Sequence, residues 1–591
     1  MSVTRAAVCL FYDQAARVDE YMELVLLSLR PFVSRFLFVA NGALHTEDEA
    51  RLRLIVDEVI VRENEGFDVG GYRAGLEAIG WEELGAFDEL LLFNNTFFAP
   101  INPWHSVFEA AAAHSEASFW GLTEAPEVRP HPFAAKRVMP RHIQSHFIAV
   151  RSPLLKDPEF RSYWEGMPPI RSYLDSIEHH ESRFTEYFES LGHSSYAVYP
   201  ASAYTSENPS ILEAGELLDA GCPILKRRIF FHDPSYLDDH GVKGIELISK
   251  AVERGYPEDL LLAGVARVAP PRVLLVNAGL VEAVDASTTP WPDERLVLHA
   301  IVDSSASLSR LRRLLSALPP ETRAVISCRE EFVEQVREQS SAFPQCLEIQ
   351  VELCFTAVFE GESRQERGRG RFSTMLRLLA QEPEDARSLY IDCGDLGDED
   401  RDSILNDADL LRSALDLFRT RPRLGLLVEV RSATEDEAPL RPLKPERFEA
   451  VRNAALSLGI TAPLDSRLPL LEPSAPFAIR ASFITACAHD PLRDEDAAVN
   501  ALTVEEEELL IASAVASGGF HMLQVVKPGQ GGREFALEQW RHDAARCRPD
   551  GHRGGFAQRA AFLRSFIKSA APGLARVIVP AYRRLKGVFG R

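Results

Sequence analysis

The chain has 591 residues, which is long enough for two or more domains that each bury a core. Hydrophobic residues make up 46% and charged residues 26%, an ordinary composition for a soluble globular protein, and the net charge of −22 argues against nucleic-acid binding. The eight cysteines include no CxxC pair, which argues against a disulfide framework or a zinc ribbon. We expect neither a signal peptide nor a membrane span, because the first residues are typical of a strand and no run of 18 apolar residues occurs.

Residues 1–268 alternate between strand and helix patterns and form the first predicted domain. The predicted strands include AAVCLFY, RFLFVAN, FDELLLFNNT, SFWGLT and HFIAVR, and VDEYMELVLLSLRPF is a predicted helix. This alternation predicts a mostly parallel sheet with helices on both faces. Ligands of such sheets gather at the carboxyl ends of the strands, so the polar residues that follow each strand are candidate site residues.

The stretch ENEGFDVGGY (63–72) lies between a predicted strand, DEVIV, and a predicted helix. Gly66, Gly70 and Gly71 permit positive φ angles and close approach of a ligand, and the N–H groups at a helix start favour an anion. The spacing is not the GxGxxG dinucleotide motif. Two interpretations remain open: a nucleotide-binding turn, or a tight turn in which Asp68 caps the helix.

A second polar cluster, Asn94-Asn95-Thr96, follows the strand FDELLLF. Because both clusters fall at strand ends, we expect them to contribute to one site. The cluster contains amides and a hydroxyl but no carboxylate, and carboxylates are the ligands that Mg²⁺ or Mn²⁺ prefers. A divalent metal site and a merely polar strand end, with amides bonded to local backbone, are both open.

The order and spacing of several motifs resemble the rhamnan synthesis protein F family of bacterial polysaccharide glycosyltransferases over about residues 1–265. These motifs are ENEGFDVGGY (63–72), LLFNNTFFAPI (91–101), FWGLT (119–123), HIQSHFIAVRSPLL (142–155), ESRFTEYFESLG (181–192) and NPSILEAGELLDAGCPILKRR (208–228). The resemblance implies a GT-A-like (Rossmann-like) fold and a nucleotide-sugar donor, typically deoxythymidine-diphosphate rhamnose. It also implies a lipid-linked cell-surface polysaccharide as acceptor, at the inner face of the cell membrane.

The resemblance assigns roles to individual residues. The donor-binding residues it implies are Asn64, Gly66, Asp68, Gly70, Gly71, Tyr72, Asn94, Asn95, Lys226 and Arg227. Those on the sugar or acceptor side are Trp120, Thr123, Gln144 and Ser145, in motifs that also contain Gly121 and Thr185. Glu181 is the implied general base. Asn95 stands where the family usually has Asp, which leaves the metal ligand in doubt.

Each of these roles has a structural alternative. Glu181 fits a solvent-facing helix position, and Lys226 and Arg227 fit surface charges as well as a diphosphate contact. His142 and His146 have the i, i+4 spacing of metal ligands on a helix, but HIQSHFIAV is more typical of a loop that enters a strand, and no third ligand is evident. We therefore predict no metal at these histidines.

After a proline-rich linker (269–293), residues 294–525 repeat the strand–helix alternation and resemble a diverged second transferase-like domain. Gly370 replaces an Asp of the family's second-domain turn, and an acidic run that includes Asp392, Asp395 and Asp398 stands in place of a basic element. Those acids fit a separate divalent-ion site or a solvated acidic loop, and we favour the loop. We predict that this domain is degenerate, a scaffold or a glycan binder.

Residues 526–591 form a predicted basic helical tail. Residues 551–591 contain nine Lys or Arg and no Asp or Glu, and the apolar residues between them suit contact with anionic lipid. Pro572 and Pro580 divide the tail into short segments. A basic tail folded back on the acidic body is the structural alternative.

Two functional hypotheses follow from the whole sequence. The first is a glycosyltransferase, a rhamnosyltransferase in particular, that acts with other polysaccharide-assembly enzymes. The second is a non-catalytic glycan-binding or scaffolding subunit. The sugar, the linkage, the acceptor and the stereochemistry are left open.

Overall fold

The structure is a computed structural model. It describes residues 3–129, 138–286, 290–328, 330–340, 346–350, 371–382, 387–393, 403–429, 443–465, 470–471, 475–483, 499, 502–527, 536–538 and 540–541. Gly370, Asp395, Asp398 and the basic residues of the predicted tail lie outside the described residues. The described chain divides into two compact units, which comprise residues 1–229 with 236–261, and 230–235 with 262–551.

The first unit contains ten strands and thirteen short or medium helices among its described residues. The strands are β1 (Arg5–Phe11), β2 (Arg35–Asn41), β3 (Glu58–Arg62), β4 (Glu89–Asn94), β5 (Phe97–Phe98), β6 (Phe119–Ala125), β7 (His142–Ile143), β8 (Phe147–Arg151), β9 (Ser195–Tyr199) and β10 (Leu225–Lys226). The helices are α1 (Glu20–Leu29), α2 (Thr46–Leu52), α3 (Phe67–Ile79), α4 (Trp81–Leu84), α5 (Trp104–Ala113), α6 (Ser152–Leu155), α7 (Pro158–Glu165), α8 (Tyr173–Ser176), α9 (Ser182–Ser190), α10 (Pro209–Leu212), α11 (Ala214–Asp219), α12 (Pro234–Asp239) and α13 (Gly244–Glu253). A π-helical turn, Ile177–Glu181, joins α8 to α9.

The main sheet of the first unit runs in the order β3-β2-β1-β4-β8-β6, with β9 and β7 both paired to β6. Strands β1 to β4 are parallel, and β8 is antiparallel to both of its neighbours. The strands are buried apolar runs such as RAAVCLF and ELLLFN, as expected for a sheet covered on both faces. The carboxyl ends of β1 and β4 lie side by side, since Leu10 pairs with Asn94.

The second unit contains eight strands, β11 (Val281–Ala283), β12 (Arg295–Val302), β13 (Arg323–Cys328), β14 (Cys346–Gln350), β15 (Ser388–Asp392), β16 (Leu424–Glu429), β17 (Phe477–Arg480) and β18 (His521–Val526). Its helices are α14 (Glu258–Ala266), α15 (Pro271–Ala278), α16 (Ser305–Ala317), α17 (Val333–Ser340), α18 (Arg371–Ala380), α19 (Ala408–Thr420), α20 (Pro445–Ser457) and α21 (Val504–Ser517). Short 3-10 turns lie at Arg30–Phe32, Ala201–Ala203, Arg227–Phe231, Glu330–Phe332 and Ile404–Asn406 of the two units.

The sheet of the second unit repeats the strand plan of the first. Its order is β11-β18-β16-β17-β15-β12-β13-β14, and β17 is antiparallel to both of its neighbours. Strands β12, β13, β14, β15, β16, β17 and β18 take the places of β1, β2, β3, β4, β6, β8 and β9, and β11 is added at the edge. The predicted α/β class with two sheets in tandem is therefore confirmed. Among the described residues, no helix is both long enough and apolar enough to cross a bilayer.

Candidate functional site at the carboxyl edge of the first sheet

The two polar clusters predicted from the sequence meet at the carboxyl edge of the first sheet. The Nδ2 group of Asn94, the last residue of β4, donates a hydrogen bond to Oδ2 of Asp68 at 2.7 Å. Asp68 is the second residue of α3, which follows β3. The second carboxylate oxygen of Asp68 accepts no hydrogen bond from the described residues.

The turn before α3 is shorter than its glycines suggest. Gly66 has φ 76° and is followed by Phe67 with φ 51°, and α3 begins at Phe67. Asp68 therefore lies inside the first helical turn and makes no capping bond, which excludes the capping alternative. Asn41 fixes the turn from β2 by donating its Nδ2 hydrogen to the carbonyl of Phe67 at 2.7 Å, and Arg62 in turn holds Asn41.

The other two glycines of this stretch serve packing rather than a turn conformation. A Cβ atom on Gly71 would lie 2.0 Å from Cδ1 of Leu10 on β1, and one on Gly70 would lie 2.3 Å from the carbonyl oxygen of Glu65. The prediction that all three glycines lie in the turn is thus wrong for Gly70 and Gly71, because both lie in the helix. Their role is to bring α3, and with it Asp68, close to the sheet.

The residues after β4 are engaged by their neighbours. Asn94 Oδ1 accepts hydrogen bonds from the backbone N–H and the hydroxyl of Thr96, the latter at 2.6 Å. Asn95 donates its Nδ2 hydrogen to the carbonyl of Tyr12 at 3.0 Å. The carbonyl of Asn95 accepts from the side chains of Tyr21 and Arg227. The strand end is therefore a rigid, neutral platform.

Lys226 lies on this platform. It belongs to β10, which pairs with β5, and its ammonium donates a hydrogen bond to Thr96 Oγ1 at 2.8 Å. No carboxylate of the described residues contacts this ammonium. Burial lowers the pKa of Lys226 to about 8, and the negative charges of Glu181 and Asp68 limit that decrease.

Glu181 faces Lys226 from the π-helical turn, a geometry that recurs at functional sites. Ser145 donates its hydroxyl hydrogen to Glu181 Oε2 at 2.5 Å, and His142 Nε2 lies 3.8 Å from Glu181 Oε1. Burial acts to raise the pKa of Glu181, but His142, Ser145 and Lys226 together outweigh it and lower this pKa to about 2. The carboxylate is therefore ionised throughout the neutral range.

Asp68, Glu181 and Lys226 form one electrostatic unit, which we call the charge cluster. Burial raises the pKa of Asp68, the hydrogen bond from Asn94 lowers it, and the charges of Glu181 and Lys226 raise and lower it respectively. In the part of the chain that the structure describes, the cluster thus has an ammonium without a contacting counter-ion and two carboxylates that act on it electrostatically. Such a perturbed group of charges at a strand-end edge is typical of a ligand site.

Thr123, Gln144 and His146 form a second, neutral layer beneath the charge cluster. The Thr123 hydroxyl lies 2.7 Å from Gln144 Oε1 and 3.2 Å from His146 Nε2. Burial holds the pKa of His146 well below its ordinary value, and Lys226 lowers it further, so this histidine is neutral. Tyr72 joins the layer by donating to the carbonyl of Ser145 at 3.2 Å.

Three predicted site residues, Trp120, Arg227 and Asn64, belong to neither the charge cluster nor the neutral layer. Trp120 is fully buried near the opposite edge of the sheet, where its indole N–H donates to Glu89 at 2.9 Å, so its predicted place on the sugar side is wrong. Arg227 is buried, stacks its guanidinium over Tyr21 and supports the Asn95 loop.

Asn64 is exposed, and its side chain hydrogen-bonds the hydroxyl of Tyr12. Gly121 packs against Ile143 in β7, where an added Cβ would lie 2.1 Å from Cγ2 of that residue. Thr185 accepts a hydrogen bond from the backbone N–H of Ile143 at 3.0 Å and is a buried support. These residues stabilise the walls around the site.

Several residues of the site were not assigned a role from the sequence. Thr96 connects Lys226 to Asn94, and His142 contacts Glu181 rather than a metal. Tyr173 and Arg228 interact electrostatically with each other, and Tyr173 also with the carboxylates of the charge cluster. Among these four residues, only Thr96 has a sequence feature that indicates a place at the site, namely its position at the end of a strand.

The equivalent edge of the second unit contains a buried ion network instead of the charge cluster. Arg371, the first residue of α18, donates to Asp392, the last residue of β15, at 2.9 Å, and also to Glu508 at 3.1 Å and to the carbonyl of Ala475. Arg371 and Asp392 are 4% and 1% exposed. By strand plan they occupy the places of the Asp68 region and Asn94.

Asp392 is therefore not part of a solvated acidic loop, and that prediction is wrong for this residue. The reason is its place at a strand end, where His299 and Tyr390 also contact its carboxylate, each at 3.1 Å. The described residues contain no group of three or more His, Cys, Asp or Glu side chains able to hold a metal ion.

Residues 36–304 match the family described as rhamnan synthesis protein F. The matched residues make up less than half of the chain, so the match shows a similarity to that family. The match includes every member of the charge cluster and agrees with the family expected from the sequence motifs.

One curated relative is an uncharacterized protein, y4gN, of Sinorhizobium fredii (strain NBRC 101917 / NGR234), which is 24% identical over 183 residues. That alignment covers 30% of this chain and 45% of the relative, so the chain spans less than half of the relative's length.

Solved structures with some likeness include a 4-diphosphocytidyl-2C-methyl-D-erythritol synthase from Anaerococcus prevotii DSM 20548, with 11% identity, a TM-score of 0.23, and coverage of 34% of this chain and 87% of that one. Glucosyl-3-phosphoglycerate synthase from Mycobacterium tuberculosis, in complex with Mn²⁺, uridine diphosphate and glucosyl-3-phosphoglycerate, has 14% identity, a TM-score of 0.21 and coverage of 44% and 82%. A mannosyltransferase from Pyrobaculum calidifontis, in complex with GDP-Man and Mn²⁺, has 10% identity, a TM-score of 0.23 and coverage of 46% and 71%.

Both sheets of this protein have the GT-A-like arrangement predicted from the sequence. The strand orders carry this assignment, together with the antiparallel strand, β8 or β17, that lies between two neighbours in each sheet.

Proposed function

We propose that the protein is a glycosyltransferase that moves a sugar from a nucleoside-diphosphate donor to a hydroxyl acceptor. The observation that carries the proposal is the charge cluster at the carboxyl edge of the first sheet. There an ammonium without a contacting counter-ion is available to an anion, and two carboxylates are available to hydroxyl groups.

In this proposal the donor lies across the edge between α3 and β4. Lys226 contacts the diphosphate oxygens, and the open oxygen of Asp68 accepts hydrogen bonds from hydroxyl or N–H groups of the nucleoside. A carboxylate there repels the diphosphate and attracts the hydroxyl and N–H groups of the nucleoside. Asp68 therefore orients the ligand, with the nucleoside toward Asp68 and the diphosphate toward Lys226. The match to the rhamnan synthesis protein F family supports deoxythymidine-diphosphate rhamnose as the donor.

The proposed transfer step uses Glu181. The acceptor oxygen forms a bond with the anomeric carbon while the bond from that carbon to the diphosphate oxygen breaks. The diphosphate leaves with the electron pair, and the acceptor proton passes to the Glu181 carboxylate. Ser145, which already donates to Glu181, orients the carboxylate for this contact.

A carboxylate with a pKa of about 2 is a weak base, so the donor itself must change it. The diphosphate brings negative charge to Lys226 and thereby removes part of the stabilisation that Lys226 gives to ionised Glu181. Both effects raise the pKa of Glu181 in the complex. Glu181 is thus a stronger base with donor bound than without it, which favours transfer only when both substrates are present.

For the acceptor we propose a lipid-linked cell-surface polysaccharide at the inner face of the cell membrane. The match to the rhamnan synthesis protein F family supports the polysaccharide, and the basic composition of residues 551–591 supports contact with an anionic membrane surface. Other polysaccharide-assembly enzymes are the proposed partners.

The second candidate is a non-catalytic glycan-binding or scaffolding subunit. The uncharged strand end favours it, because Asn94 and Asn95 are committed to local hydrogen bonds. The closed ion network of Arg371 in the second unit also favours it for that unit.

Donor binding is the first test. We expect calorimetry to detect deoxythymidine-diphosphate rhamnose binding to the wild type, and Asp68→Ala to weaken it about tenfold or more, since hydrogen bonds to charged groups contribute about 1.5–3 kcal/mol. Glu83→Ala is the control, an exposed carboxylate on α4. No binding by a panel of nucleotide sugars at millimolar concentration contradicts the donor assignment.

Transfer is the second test. Incorporation of labelled sugar into the lipid-extractable fraction of membranes should fall at least a hundredfold in Glu181→Gln, since general base catalysis contributes roughly 10²- to 10⁴-fold, while donor affinity changes little. Glu186→Gln, an exposed position on α9, is the control. Donor binding without transfer by the wild type leaves the non-catalytic candidate.

A further inference from the structure

The ammonium of Lys226 stands at the strand-end position where a divalent cation would be expected. It is 2.8 Å from the Thr96 hydroxyl, which is bonded to Asn94, the last residue of β4. Its remaining two N–H groups have no acceptor among the described residues, since its one hydrogen bond there goes to Thr96. An ammonium in this state has hydrogens to give to an incoming anion.

The side chains at this strand end do not suit a divalent cation. Mg²⁺ and Mn²⁺ prefer carboxylate oxygens, but the oxygen of Asn94 already accepts two hydrogen bonds and Asn95 presents its N–H₂ group to a backbone carbonyl. A cation bound through Thr96 would also approach the Lys226 ammonium closely, and like charges repel. Among the described residues, Asp68 is the one carboxylate bonded to this strand end and no group of three metal ligands occurs, so the site fits a fixed protein cation better than a bound metal.

We infer that Lys226 performs at the donor diphosphate the neutralising role of a divalent cation, so that donor binding requires no metal. This inference rests on the proposed function and adds how the site holds its substrate. The ammonium acts as a point charge with two free N–H groups, and the platform of Asn94 and Thr96 fixes its position.

The charges around Lys226 agree with this role. Asp68 and Glu181 approach it from α3 and the π-helical turn, near enough to shift its pKa, but neither neutralises it by contact. His146 is buried and neutral beneath it, so no second cation competes for the diphosphate from that side. The two carboxylates keep Lys226 protonated while leaving its remaining N–H groups open.

The experiment uses the full chain, stripped of metal with chelator, and deoxythymidine diphosphate as the probe. We expect the dissociation constant to change less than about threefold when EDTA is replaced by excess Mg²⁺ or Mn²⁺. Lys226→Gln should weaken binding about tenfold to a hundredfold, since its amide still donates to Thr96 but has no charge. Lys226→Arg should recover most of the affinity, and Lys156→Gln, an exposed lysine, should bind as the wild type does.

Three outcomes would overturn the inference. Binding that appears only with Mg²⁺ or Mn²⁺ shows that a metal holds the diphosphate, and leaves the proposed transferase function intact. Wild-type affinity in Lys226→Gln shows that the ammonium is not the contact. Absence of binding under every condition, with the variants folded by circular dichroism, contradicts both the inference and the proposed function.

Discussion

Lys226 and Glu181 have oppositely charged side chains whose ordinary pKa values the fold lowers to about 8 and about 2. Lys226 therefore titrates within the range of ordinary assays, while Glu181 does not. Burial causes the decrease at Lys226, whereas His142, Ser145 and Lys226 cause the decrease at Glu181. The pH dependence of the site should therefore report on Lys226 alone between neutral and alkaline pH. The direction of this pH dependence follows from the positive charge on Lys226 that the donor diphosphate needs.

Donor affinity should be constant below pH 8 and decrease above it. Protonated Lys226 binds the diphosphate, and this form is lost as the pH rises through about 8, so affinity should fall by up to tenfold per pH unit beyond that point. Calorimetry with a nucleotide sugar between pH 6.5 and 9.5 measures this. Lys226→Arg should remove the decrease, because guanidinium stays charged. A constant wild-type affinity up to pH 9.5 would contradict the assignment of Lys226 as the contact to the diphosphate.

Some site residues could be identified from the sequence, and others could not, for physical reasons. Asp68 and Asn94 were identified because both follow strands of a parallel sheet, and the structure joins them at 2.7 Å. Trp120 was misplaced because a strand pattern does not tell which end of the strand faces the ligand edge. The contact between Thr96 and Lys226 joins residues 130 positions apart, which no local pattern reveals.

At the scale of elements, helix α3 is positioned by the small size of its glycines. Gly71 lies against Leu10 and Gly75 against Val8, both on β1. A Cβ atom on Gly75 would lie 2.4 Å from Cγ1 of Val8, a β-branched side chain with little freedom to move. The helix therefore cannot keep its distance from the sheet if either glycine gains a side chain.

We expect Gly75→Ala to destabilise the first unit despite the higher helix propensity of alanine. Propensity favours alanine by about 1 kcal/mol, whereas overpacking a close contact costs roughly 1–3 kcal/mol. The thermal midpoint should fall, and donor affinity should fall with it because Asp68 moves with α3. Gly85→Ala is the matched control, since its φ is −65° and its nearest neighbour is 3.5 Å away. Equal midpoints for the two variants would contradict the packing role.

The π-helical turn Ile177–Glu181 sets the direction of Glu181. A π-helix has one residue more per turn than the adjoining α-helices α8 and α9 allow, so removal of one residue should restore a continuous α-helix. We expect deletion of His179 to leave the chain folded, as measured by circular dichroism. Because one residue is about 100° of helix rotation, the deletion should change the direction of Glu181 and abolish transfer. Retention of transfer in this variant would show that the turn is not needed for catalysis.

At the scale of the whole molecule, two sheets with one strand plan differ in what fills the same edge. The first has the charge cluster, and the second has Arg371 held by Asp392 and Glu508. Among the described residues, the cation of the second edge is thus already paired with two carboxylates of the chain. We therefore propose one donor site per chain, in agreement with the predicted degeneracy of the second domain.

Arg371→Met should destabilise the protein strongly and leave the donor site unchanged. Loss of the guanidinium leaves two buried carboxylates without their cation, which costs roughly 3–5 kcal/mol, whereas Arg452→Ala breaks only an exposed pair and should cost about 0–1 kcal/mol. Thermal unfolding measures the first effect, and calorimetry should give one donor per chain in the wild type and both variants. Two donors per wild-type chain would contradict the single-site proposal.

The strand pattern of the sequence predicted that two α/β domains follow one another, but it did not predict every strand of their sheets. Strands β12 to β16 correspond to apolar runs that are evident in the sequence. The antiparallel β17 escaped prediction because it is four residues long and its pairing partners are distant in sequence. The same limit applied to β9, which contributes the last parallel strand of the first sheet.

The repeated strand plan gives this molecule an internal reference. A solvent, temperature or osmolyte that alters the GT-A-like framework should affect both sheets, whereas a ligand of the charge cluster should protect the first sheet alone. Amide hydrogen exchange can therefore separate the two kinds of effect within one sample, with peptides from β12 and β15 serving as the reference for β1 and β4.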